Sequence, residues 1–202
     1  MSTGVFRSSH KRTMAAVAAL VAGACVAAGP QTSDLPTELV GEFRSAAGES
    51  LDAFMVDVGG VLHAFSARTQ FEACGWIGQT VDHRQYGVVV YTNRSHIACN
   101  SRGADVPEDM NPLPFTIHSH PTQTGLQLNR ADRMALNLLG NGAVVAGLQR
   151  SASAPATVQV VTDGFNASDY SRPGYLAASG GVWFQSGAGT DRFVGAYGQA
   201  AK

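Results

Sequence analysis

Apolar positions along the chain fall into short runs separated by polar and glycine-rich breaks. Cys74 to Val81 and Tyr86 to Thr92 read as two strands around a polar turn at Asp82 to Gln85. Phe115-Thr116-Ile117 predicts a buried strand that stops at His118. Gly142 to Leu148 and Thr157 to Thr162 also read as strands, as does Val182-Trp183-Phe184 between glycine-rich turns. His96 to Cys99 is a candidate for a further short strand. From Thr37 to Ala47 the spacing is helical, with Leu39, Val40 and Phe43 on one side. Leu51 to Phe65 is ambiguous between strands and a broken helix, because Gly59-Gly60 interrupts its apolar run. Asn129 predicts a helix N-cap. Asp132 then falls in the first turn, where a carboxylate is favoured. Ala131, Ala135, Leu138 and Leu139 make the buried stripe of that helix, and Gly140 ends it. Gly103 to Pro114 and Pro121 to Leu128 read as loops. Strands with few helices predict one α/β or α+β domain.

The N-terminus departs from this pattern. Arg7, Lys11 and Arg12 precede an uncharged run from Met14 to Gly29. That run is short for a membrane span and suits a signal-peptide core. The expected organisation is a signal peptide at 1–24, a tether at 25–36 and the domain at 37–202. Ala22-Gly23-Ala24-Cys25 resembles a lipobox, which would make Cys25 a lipidated first residue. An ordinary cleavage before Gly29 is the alternative. Either route exports the chain, to the periplasm or outer membrane as a lipoprotein and otherwise by secretion. An exported compartment permits a disulfide, and with Cys25 lipidated the remaining pair is Cys74 and Cys99. Two separate buried thiols are the alternative to that bridge.

Composition narrows the partners. The 202 residues carry 14 Lys+Arg against 15 Asp+Glu, a net charge of -1. A nucleic-acid binder usually carries a basic excess, so the balance argues against one. The hydrophobic fraction of 45% is too high for a disordered chain.

The chemistry concentrates between Phe115 and Asp132. His118 and His120 sit two apart at the end of a strand, so both imidazoles point the same way and can meet one ion. Pro121 turns the chain, and Asp132 returns from the first turn of a helix. Two His and one carboxylate leave an open fourth position, the ligand count of a catalytic zinc site. Ser119, between the two histidines, faces the other side of the sheet, which argues against a serine nucleophile. His63, His83 and His96 read as scattered surface or core histidines.

His118-Ser119-His120-Pro121 followed by Asn129-Arg130-Ala131-Asp132 resembles the His-x-His-Pro and Ser-x-x-Asp elements of the JAB/MPN metallopeptidases, whose signature is the JAMM motif. Upstream, Glu72-Ala73-Cys74-Gly75-Trp76-Ile77-Gly78 is similar to the glutamate segment of bacterial members. The resemblance implies a cytidine-deaminase-like sheet flanked by helices, with zinc held by His118, His120 and Asp132. It implies Glu72 as general base, with Glu108 and Glu49 as lesser candidates. The loop between His120 and Asp132 is one residue longer than the family's, and Asn129 replaces the serine that helps hold the oxyanion. A side-chain amide can donate that hydrogen bond too. The implied substrate is a peptide or protein amide. A non-catalytic MPN-like binding module and a His-x-His metal-dependent phosphoesterase are the rival readings.

Overall fold

The computed structural model describes residues 37–100, 105–138 and 157–198, which form a single mixed α/β domain. The signal peptide and tether, Cys25, Leu139, Gly140 and the strand expected at Gly142 to Leu148 lie outside the described residues.

Strand β1 (Glu38–Arg44) leads into helix α1 (Leu51–Thr69), followed by strands β2 (Cys74–Thr80), β3 (Tyr86–Thr92) and β4 (Met110–Ser119). Strand β5 (Gly125–Gln127), helix α2 (Arg130–Leu138) and strand β6 (Thr157–Gln159) come next. A 3-10 turn at Asp169–Ser171 precedes strands β7 (Gly174–Ala178), β8 (Gly181–Gln185) and β9 (Arg192–Gly195). Seven strands join in the order β1-β3-β2-β4-β7-β8-β9, while β5 and β6 pair separately. The large sheet is antiparallel except where β4 meets β7. Among the described residues no helix is long and apolar enough to cross a membrane.

Residues 38–44 form an edge strand on β3 and not the helix their spacing predicts. The register shifts between Leu39 and Gly41, so one extra residue is accommodated there. The bulge sends Val40 and Phe43, three apart, onto the same core, which reproduces helical spacing within a strand. Strand β4 begins inside the expected loop, at Met110, and continues through His118 to Ser119. The stretch expected to be a loop at 121–128 contains β5. The strand expected at 157–162 contracts to β6, and none forms at His96 to Cys99.

Helix α1 settles the ambiguous stretch. Ser50 caps it by accepting from the Ala53 N–H at 3.2 Å. Gln70 closes it in the left-handed region at φ 61, donating its N–H to the Ser66 carbonyl. Phe54, Met55, Val58 and Leu62 pack against Ile77, Val88, Ile117 and Val182 on one face of the sheet. Gly59-Gly60 leaves the helix intact and brings it close to the strands. A Cβ at Gly59 would stand 2.3 Å from Val182 Cγ2, and Val182 is fully buried. Gly59→Ala should therefore destabilise the fold by about 1–3 kcal/mol, through overpacking that exceeds alanine's better helix propensity. Gly60→Ala, whose Cβ meets nothing nearer than 3.5 Å, should be neutral or stabilising. Thermal unfolding of the two variants checks the contrast.

Candidate metal centre

The two faces of the sheet have different tasks, and the pleat assigns residues to them. Thr116 and His118 lie opposite Trp76 and Cys74, on the face away from α1. Ile117 joins the core under α1, and the Ser119 hydroxyl is buried there, 2.7 Å from the Ser66 hydroxyl. Ser119 thus faces away from the histidines, as its position in the alternation predicts.

Beyond the strand end, His120 turns to face His118. Their Nε2 atoms stand 3.2 Å apart. The third group beside them is Asp169, the first residue of the 3-10 turn. Its carboxylate oxygens lie 3.4 Å from His118 Nε2 and 3.5 Å from His120 Nε2. Tetrahedral ligands at zinc bond lengths stand about 3.3–3.5 Å from one another. The His118–His120 separation is close to such an edge, the two Asp169 contacts run to different carboxylate oxygens, and one ligand atom from each of the three residues lies within 4.8 Å of the others.

The protonation states suit a cation. Burial lowers the His120 pKa, which keeps the ring neutral. The buried Nδ1 of His120 has no close hydrogen-bond partner among the described residues. Burial works to raise the Asp169 pKa, but hydrogen bonds to the two imidazoles and from the Asn166 N–H outweigh it. The carboxylate stays below its usual range. His118, His120 and Asp169 are the group among the described residues able to hold a metal ion.

Asp132, the carboxylate expected as third ligand, is not part of that cluster. It is wholly buried and accepts four hydrogen bonds. The donors are Ser95 Oγ (2.8 Å), the His96 N–H (2.6 Å), His96 Nδ1 (2.8 Å) and the Asn129 N–H (2.8 Å). The Asp132 N–H in turn donates to Asn129 Oδ1 at 2.9 Å, a reciprocal cap of α2. The Asn129 amide donates to the Arg94 carbonyl at 2.8 Å, so the side chain expected at the oxyanion serves the helix start. His96, expected to be a scattered histidine, is the ring that Asp132 holds.

Glu72 lies two residues before the start of β2. Its N–H donates to the Ser95 carbonyl, and its own carbonyl accepts from Thr92 Oγ1. These bonds fix the backbone and leave the side chain to line a cleft of about 360 Å³ shared with His118 and Asp169. Burial, then the negative charges of Asp169 and Asp132, raise the Glu72 pKa well above the usual carboxylate value. Glu108 is exposed in the turn before β4, and Glu49 accepts from the Ala46 N–H. Cys74 and Cys99 are joined by a disulfide that forms part of the cleft wall.

Asp169 is the site residue that sequence reasoning missed. Its signal was present: Asn166-Ala167-Ser168-Asp169 repeats the Asn-x-x-Asp spacing of Asn129 to Asp132. In both copies the Asn N–H donates to the Asp carboxylate, at 2.7 Å and 2.8 Å. No family model, curated protein or solved structure matches the chain.

Proposed function

We propose that the protein is an exported zinc peptidase or isopeptidase of the JAB/MPN type, hydrolysing an amide bond of a peptide or protein. The observation that carries this reading is a His, His and Asp cluster whose ligand atoms lie within 4.8 Å of one another, with a buried glutamate lining the same cleft as His118 and Asp169. His118, His120 and Asp169 would hold the metal, which keeps the His-x-His-Pro element of the resemblance and moves the carboxylate ligand to another loop.

Bound zinc supplies Lewis acidity, lowering the pKa of water and polarising a carbonyl. Glu72 does the proton work. No described residue donates a hydrogen bond to its carboxylate, so its oxygens remain available to a proton. A carboxylate whose pKa is raised above the usual carboxylate value is a better acceptor of a proton from water, which it can then release to the departing amine. Asp132 keeps His96 and the start of α2 in place behind the site. The Cys74–Cys99 bridge fits an oxidising compartment, in line with export.

The test is metal analysis of the mature exported protein, followed by a peptide-library cleavage screen with and without chelator. One equivalent of zinc with chelator-sensitive cleavage supports the reading. Zinc without cleavage across the library favours the non-catalytic binding module, which the diversion of the Asn129 amide to Arg94 also suits. Export has its own test. Labelled palmitate should enter the protein in cells, and Cys25→Ser should prevent it. A mature N-terminus at Gly29 would point instead to ordinary signal-peptide cleavage.

A further inference from the structure

The proposed metal centre occupies one part of the cleft, and another part carries a cation with no assigned role. Arg172 follows the 3-10 turn that bears Asp169 and lines the same cleft. Its guanidinium lies over the Trp76 ring, 4.3 Å from the centroid. Stacking occupies the face of the guanidinium and leaves its in-plane N–H groups free to donate. Among the described residues no carboxylate forms an ion pair with it, and it is the arginine that lines this cleft.

The position of Arg172 is built. Gln185, only 1% exposed, donates through Nε2 to the Arg172 carbonyl at 2.6 Å and to the Asp169 carbonyl at 2.9 Å. Gln185 Oε1 accepts from the Gly187 N–H at 2.7 Å. One buried amide thus ties together the backbone of the residue that bears the proposed ligand carboxylate and the backbone of Arg172. Charge points the same way. A divalent ion would offset Glu72 and Asp169, leaving Arg172 as the uncompensated charge of the described cleft wall.

Resting on the zinc-peptidase reading, we infer that Arg172 is a substrate-recognition residue that binds a carboxylate of the substrate beside the scissile amide. The substrate class is a peptide with a free C-terminal carboxylate or an acidic side chain close to the cleaved bond.

The experiment titrates the zinc-loaded full chain with three metal-binding probes. They are acetohydroxamate, a set of dicarboxylic acid monohydroxamates of increasing spacer length, and the matching amides. One spacer should bind about tenfold more tightly as the carboxylate than as the amide, the scale of a charge-assisted hydrogen bond in a partly wet site. Arg172→Gln should abolish that preference while leaving acetohydroxamate affinity and zinc content unchanged. Arg172→Lys should restore it only in part, because the ammonium lacks the planar fork. If no hydroxamate binds, the metal centre falls and the subsite with it. If hydroxamates bind but show no carboxylate preference at any spacer, or one that survives Arg172→Gln, the subsite is overturned and the metal centre stands.

Discussion

Asp169→Asn should abolish stoichiometric zinc binding in a protein that still folds, while Asp132→Asn should keep the zinc and lose stability. The two substitutions remove the same charge at the same type of turn, so the contrast isolates the ligand set. Loss of a ligand should cost more than the ~10–100-fold in affinity typical of losing an outer-shell partner. The expectation at Asp132 has another origin. Four donors converge on that buried carboxylate, and an amide would turn its own N–H groups towards some of them. Leaving those donors unpaired should cost about 2–4 kcal/mol in unfolding free energy. Metal content after dialysis and denaturant unfolding read the two effects. The opposite pattern, with zinc lost in Asp132→Asn and kept in Asp169→Asn, would restore the ligand set expected from the JAMM resemblance.

Glu72→Gln should keep the zinc and lose amide hydrolysis by about 100- to 10,000-fold, the usual contribution of general base catalysis. The same variant carries a signature independent of any substrate. In the metal-free protein the folded-state pKa of Glu72 is raised, so the folded chain binds that proton more tightly than the unfolded chain. Stability contributed by this group is present at low pH and lost as pH rises from the usual carboxylate range through the raised value. Gln does not titrate. Metal-free Glu72→Gln should therefore unfold at a higher temperature than wild type above that window, and the difference should shrink on acidification. Equal melting at all pH values would show that Glu72 is not buried as a charge. Zinc lost together with activity would make Glu72 a ligand.

What the sequence revealed and what it concealed follow from the range of the interactions involved. The His118 and His120 pair was legible because strand alternation is local, and the same alternation turned Ser119 towards α1. The hairpin of β2 and β3 was legible because its strands are apolar and its turn is polar. Asp169 carried a local Asn-x-x-Asp turn signal, but its place beside His118 was not legible, because that approach depends on β7 pairing beside β4. Asp132 looked like a ligand because a carboxylate in the first turn of a helix has two uses. Its use here is set by Ser95 and His96, whose loop no local pattern places. The edge strand β1 imitated a helix through its bulge, and Gly59-Gly60 imitated a break where the helix needed to lie close to Val182.

The parallel pairing of β4 with β7 divides the sheet into an early half, which ends in the histidine pair, and a late half, which follows Asp169 along the chain. The proposed metal centre lies across that seam, with its candidate ligands drawn from both sides. Zinc held there would act as a staple between two parts of one sheet, and its binding energy would add to the cohesion of β7, β8 and β9 with the rest. Chelation should accordingly speed amide hydrogen exchange in the late strands before it reaches β2 and β3. A nascent chain that has made only the histidine pair would have part of the proposed binding site, so tight metal uptake would wait until the last third of the protein has been synthesised and docked.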